Sequence, residues 1–97
     1  MYRVNKTKMV EIPNYDRIEL AIVKRLFNYG CWGKGHLLIM RLRKGIPKED
    51  VKYVDKVLKL LNKKQIILVK RTKYGDATFL NANKREEIDK IRSRDNF

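Results

Sequence analysis

In 97 residues the chain has one cysteine, one histidine and one serine. The lone Cys31 makes no internal disulfide, which agrees with a reducing compartment. Cys31 and His36 fall short of the usual four ligands of a structural zinc site, so no metal is expected. The His, Cys and Ser lie on unrelated stretches, and the carboxylates read as helix caps and helix-surface charges. With nothing to assemble a nucleophile, a base and an orienting group, no catalytic residue, cofactor or enzyme activity is expected. The glycines at 30, 33 and 35 lack the spacing and the Lys-Ser/Thr ending of a phosphate loop. No apolar run of about eighteen residues exists to span a membrane. The segment MYRVNKTKMVEIP is basic but has no apolar signal stretch, so an intracellular, cytoplasmic chain is expected. Acidic residues are also scarce: 11 Asp and Glu stand against 24 Lys and Arg, a net charge of +13.

What is there is patterned. An apolar content of 43% suits one domain over 1–97 with one modest core. From Lys34 to Thr78 thirteen Lys and Arg face four Asp and Glu, so +9 of the charge is concentrated there. Such an uneven basic balance implies an acidic partner, nucleic acid first and an anionic membrane surface next. Abundant Lys, Arg and Ile with one Ser and one Gln hints at a thermophilic source, and seven Asn weaken the hint.

The stretch from Ile46 to Leu80 organises the rest. A helix over 47–64 is predicted, with Pro47 pre-organised at its first position. Its Val51, Val54, Val57, Leu58 and Leu61 fall on one face, and Lys48, Lys52, Lys56, Lys59 and Lys63 on the opposite one. Like charges four residues apart destabilise a helix slightly, so a polyanion along the lysine stripe gives it a reason, against the alternative of a merely solvated face. A strand over Ile66 to Val69, a turn in KRTKYGD with Gly75 at positive φ, and a return over Ala77 to Leu80 follow.

Upstream, residues 1–13 read as an extension or a short strand around Met9, Val10 and Ile12, stopped by Pro13. Asn14 is the expected N-cap of a first helix from Asp16 to Tyr29 that ends at Gly30. Ile18, Ile22, Leu26 and Tyr29 form one apolar stripe on it, and Leu20, Val23 and Phe27 another, so it should be covered twice, by the core and by the C-terminal helix or a partner subunit. Trp32 reads as a core or edge plug. A second helix, His36 to Lys44, turns Leu37, Met40 and Leu38 inward and Arg41, Arg43 and Lys44 outward, and Gly45 stops it. So short a link to the next helix implies a steep crossing. Asn83, with Glu86 three residues on, is the expected cap of a C-terminal helix over 84–94 carrying Ile88 and Ile91.

This order, closing with ILVKRTKYGDATFLNANKREEIDKI, resembles the winged helix-turn-helix DNA-binding family, most of all its small archaeal members. The resemblance covers Tyr15 to Ile91. It implies an α+β fold with a three-helix core, a β-hairpin wing over 66–80 and a C-terminal helix. It also implies a transcription regulator that lays the long helix in the major groove of double-stranded DNA and the wing on the backbone. Carried over, the helix residues are Lys48, Glu49, Lys52, Tyr53 and Lys56, and the wing residues are Lys70, Arg71, Lys73 and Tyr74; Lys59 of the lysine stripe and the adjoining Arg41, Arg43 and Lys44 complete the expected DNA-binding set. Two departures stand out. Gln65 occupies a position where the family often has Gly, so it must adopt a left-handed backbone or the helix must end differently. The reading positions also lack Arg, Asn and Gln, the best partners of guanine and adenine, whereas lysines chiefly meet phosphates.

Regulators of this kind commonly dimerise, and the second stripe of helix 1 or the Ile88 and Ile91 face offers a seam for a homodimer. Two other functions compete. One is a protein–protein interaction module docking through helix 1, with Leu20 and Phe27 in the contact. The other is RNA binding, since a basic winged helix can meet the backbone of either nucleic acid.

Overall fold

Residues 12–96, described by a computed structural model, form four α-helices and a three-stranded antiparallel sheet, an α+β architecture. Helix α1 spans Tyr15–Asn28, strand β1 Leu37–Leu38, α2 Ile39–Lys44, α3 Val54–Lys63, β2 Ile67–Thr72, β3 Gly75–Leu80 and α4 Arg85–Arg92. Short 3-10 turns occupy Val51–Tyr53, Ala82–Lys84 and Ser93–Asn96. The strand order is β1-β3-β2. No helix among the described residues is long and apolar enough to cross a membrane. The strand expected around Met9 and Val10 lies outside the described residues, while Ile12 is a buried bend residue.

Helix α1 carries the core. Tyr15, Ile18, Glu19, Ile22, Val23 and Leu26 recur at three- and four-residue intervals and are all buried. Full burial of an Ile or Leu side chain stabilises by about 1.5–3 kcal/mol. The second flank of α1 is covered from within the chain, by α4, whose Ile88 and Ile91 are buried. That occupies the Ile88 and Ile91 face that had been a candidate dimer seam. The helix ends at Asn28, one residue short of the expected Tyr29, and Gly30 beyond it takes a φ of 66°, with the Gly30 N–H on the Phe27 carbonyl at 3.1 Å and the Cys31 N–H on the Leu26 carbonyl at 3.0 Å. Tyr29 falls outside the helix and is exposed, with the Arg25 guanidinium 5.2 Å above its ring. At the other end Asn14 makes no side-chain cap; it is itself left-handed, and only its carbonyl takes part, accepting from the Ile18 N–H at 3.0 Å.

The second helix is shorter than expected because the sheet claims its start. Leu37 and Leu38 pair with Thr78 and Ala77 of β3, and the buried Thr78 hydroxyl donates to the Leu37 carbonyl at 3.1 Å. With α2 beginning at Ile39, the inward residue becomes Leu42, fully buried, and Met40 turns out to solvent at 58% exposure. Gly45 stops α2 with an ordinary negative φ. A Cβ there would meet the guanidinium of Arg25, the far end of a flexible side chain that would have to shift.

The long helix also starts later than predicted. Pro47 to Tyr53 is a run of three-residue turns, with Asp50 N–H donating to the Pro47 carbonyl and Tyr53 N–H to the Asp50 carbonyl, each at 2.9 Å. The side chain of Asp50 is drawn inward by an arginine on α1, described below. Val54, Val57, Leu58 and Leu61 are buried as expected. Gln65 does take the left-handed backbone, φ 65°, and the Ile66 N–H bonds the Leu61 carbonyl at 3.0 Å.

In the hairpin the turn shrinks to Lys73 and Tyr74, since Thr72 already pairs with Gly75. The Thr72 hydroxyl closes it, donating to the Gly75 carbonyl at 2.6 Å and accepting from the Tyr74 N–H at 3.1 Å. Lys70 and Arg71 are therefore strand residues. Downstream, Asn83 caps nothing: Asn81 caps the 3-10 turn Ala82–Lys84, its side-chain Oδ1 accepting from the Asn83 N–H at 3.0 Å, and α4 follows with no side-chain cap of its own. The Asn81 amide also donates to the Gln65 carbonyl at 2.8 Å, tying the end of α3 to the start of α4.

Candidate nucleic-acid interface

The face of α3 opposite its buried stripe is a row of lysines. Lys56, Lys59 and Lys63 on the helix and Lys52 on the preceding 3-10 turn are all exposed. They recur every three or four residues, so their ammonium groups project from one side. Among the described residues the ion pairs form elsewhere, at Arg17, Lys24, Arg43, Lys64, Arg71, Arg85, Arg92 and Arg94. Lys52 rests over the Tyr53 ring, 5.4 Å from its centroid, and Tyr53 is half-buried against the core. Lys48 and Glu49 are exposed but sit on the turn before the helix, so neither belongs to the helical row.

A groove of about 590 Å³ runs between α2, α3 and the hairpin. Leu38, Met40, Val69 and Tyr74 give it apolar walls, and Lys59 and Asn62 also line it. Its charges are largely matched. Arg43 Nη2 donates to both Asp55 oxygens, at 2.7 and 2.8 Å, which removes Arg43 from the set of open cations. Arg71 and Asp76 approach at 3.7 Å with both side chains well exposed. Beside it, a cleft of about 600 Å³ is lined by His36, Arg41, Lys70, Arg71 and Lys73, with Tyr74 shared between groove and cleft. The hairpin cations and Arg41 thus meet at one place, beside the groove that Lys59 of the lysine row also lines. Lys44 is exposed at the last position of α2 and lines neither depression. Lys73 lies over the exposed Tyr74 ring at 5.6 Å, and Lys70 over Phe79 at 6.0 Å.

Two buried carboxylates hold α3 in place, and neither stood out in the sequence. Asp50, 1% exposed, accepts from Arg17 Nη2 at 2.7 Å and Nε at 3.0 Å just before α3 begins. Glu19, 2% exposed, accepts from the Tyr15 hydroxyl at 3.0 Å, pairs with Arg94 at 2.9 Å and has the Lys64 ammonium 3.8 Å away where α3 ends. Burial and the neighbouring Glu19 carboxylate push the Tyr15 phenol pKa well above its usual value. The signal for Glu19 was its position among Ile18, Ile22, Val23 and Leu26, on the buried side of the wheel. A separate cluster at the α1–α4 edge, with Arg92 3.5 Å over Phe27, Arg85 5.1 Å over Trp32 and the two rings edge to face at 5.9 Å, packs Trp32 as an edge plug.

Among the described residues no three His, Cys, Asp or Glu come together to hold a metal ion. Burial pushes the Cys31 thiol pKa up, away from a reactive thiolate. No protein-family description and no curated protein matches this chain.

Proposed function

We propose that the chain is a winged helix-turn-helix protein that binds double-stranded DNA. Its lysine row on α3 lies against the phosphate backbone, and the cleft between Arg41 and the hairpin takes a neighbouring stretch of the same duplex. A regulatory effect on transcription follows from occupancy of the template. The observation that carries this reading is the row Lys52, Lys56, Lys59 and Lys63, exposed on one side and without acidic partners among the described residues. An unneutralised row of like charges raises the energy of an isolated helix, and a phosphate backbone relieves it. The layout agrees: helix, short strand, two helices joined through the turns of residues 45–53, and a hairpin whose β3 also pairs with the short strand.

The test is a fluorescence-anisotropy titration of a labelled duplex over a range of salt. Each neutralised phosphate contributes about −0.9 to the slope of log K against log salt. Lys52→Ala with Lys56→Ala is expected to make the slope shallower by about 2 and to weaken binding at low salt. Absence of duplex binding at about 50 mM salt removes the reading.

A second reading has its own observation: Met40, Val69 and Tyr74, three of the four exposed large apolar residues among the described residues, line one groove. A protein-docking module would retain its partner after charge reversal at Lys52 and Lys56 and lose it after Met40→Asp.

A further inference from the structure

We infer that this surface, if it holds duplex DNA as proposed above, grips it without regard to sequence, by phosphate contact rather than by reading base edges. The inference starts from what each side chain on the surface can do. Discrimination among base pairs in the major groove depends on planar, paired donors and acceptors: arginine on guanine, asparagine or glutamine on adenine, carboxylate on cytosine. An ammonium on a flexible stem is a point charge that meets phosphate oxygens equally well over any base pair. Four of the six exposed positions on α3 and the 3-10 turn before it are lysines, Lys52, Lys56, Lys59 and Lys63, and the other two are Asp55 and Asn62.

Several of the groups that could read bases are engaged or turned aside. Arg43 has a guanidinium nitrogen on both oxygens of Asp55, at 2.7 and 2.8 Å, so this arginine and this carboxylate satisfy each other. Tyr53 is half-buried. Gln65 spends its amide on the Asn62 carbonyl at 3.1 Å. Asn62 is exposed near the end of α3 and lines the groove that Asp55 and Asp76 also line. Residues 47–50, the start of the helix expected from sequence, form a turn whose Asp50 is held in the core by Arg17. That leaves a helix of 10 residues, about 15 Å long, to present its side chains to the duplex. Arg41 and Arg71 at the hairpin cleft can respond to minor-groove width, which varies with A·T content and gives graded preference for shape.

The experiment measures affinity for unrelated duplexes of equal length, A-tract, G·C-rich and mixed, at one salt concentration, beside a selection from randomised duplexes. Sequence-specific proteins prefer their targets by about 10³ to 10⁷ over other DNA. Here all duplexes are expected within about tenfold of one another, with no motif emerging from the selection. One duplex bound more than about tenfold tighter, or a recovered motif, overturns the inference and leaves DNA binding standing. Failure to bind any duplex overturns the DNA-binding reading and the inference with it. Asp55→Asn adds an independent check, because it removes a negative charge from the groove and releases Arg43. A similar gain on every duplex supports phosphate gripping, whereas a gain confined to one sequence shows Arg43 placed over a base and overturns it.

Discussion

Asp50 shows how much one side chain can decide. It is 1% exposed, and Arg17 reaches it from 33 residues away with two donors at 2.7 and 3.0 Å. Removing the cation leaves a carboxylate buried and uncompensated, at a cost of about 3–5 kcal/mol, and half-exposure of Arg17 places this pair toward the lower figure. Arg17→Ala is therefore expected to lower the free energy of unfolding by about 3 kcal/mol in urea denaturation. Arg71→Ala, which breaks an exposed pair at 3.7 Å, should change it by less than about 0.5 kcal/mol. Tyr15 adds a pH dependence. Its folded-state pKa lies above the unfolded value of about 10, through burial first and the Glu19 charge second. The neutral phenol is thus the favoured form in the fold, and its contribution is fully present below about pH 10 and is lost as pH rises toward the folded value. Stability should fall as pH rises above about 10, and Tyr15→Phe should flatten that fall relative to the parent chain, read from chemical denaturation midpoints at each pH.

At the scale of elements, the end of α3 is strained at one residue. Gln65 holds φ at 65°, a conformation that costs a residue with a Cβ about 1 kcal/mol or more, and glycine adopts it freely. Its exposed bond to the Asn62 carbonyl returns part of that. Gln65→Gly is expected to raise stability by about 0.5–1 kcal/mol, measured by thermal or urea unfolding. The same elements show which features a sequence displays. The stripe Val54, Val57, Leu58 and Leu61, the lysines opposite it and the positive φ of Gly30 and Gly75 were legible because each follows from neighbours within a turn or two. Leu37 and Leu38 were misassigned to a helix because an apolar pair suits either structure, and Thr78, 41 residues on, decided for the strand. The start of α3 was misplaced for a like reason, since the partner of Asp50 lies on α1. Within the candidate site, the lysine row was legible from spacing alone, whereas the withdrawal of Arg43 by Asp55 required knowing that α2 and α3 meet.

For the whole molecule the dominant quantity is the excess of 24 cationic over 11 acidic side chains. Self-repulsion of that size destabilises a small fold and is screened by salt, with a Debye length that falls from about 30 Å at 0.01 M to about 3 Å at 1 M. The melting temperature is therefore expected to rise with ionic strength, and to rise at low salt when a polyanion that binds the folded form is added. A scanning-calorimetry series in salt, and a second with duplex DNA, reads both. A melting temperature that falls with salt would mean that attractive pairs such as Glu19 with Arg94 outweigh the repulsion.

The two buried carboxylates flank α3, Asp50 before its first turn and Glu19 beside its last residues, and both answer to α1. The comb of ammonium groups is therefore moored at both ends before any ligand arrives. Association needs no coil-to-helix ordering, so little of the electrostatic attraction is consumed in shaping the protein, and the arrival rate should be governed by diffusion in the molecule's own field.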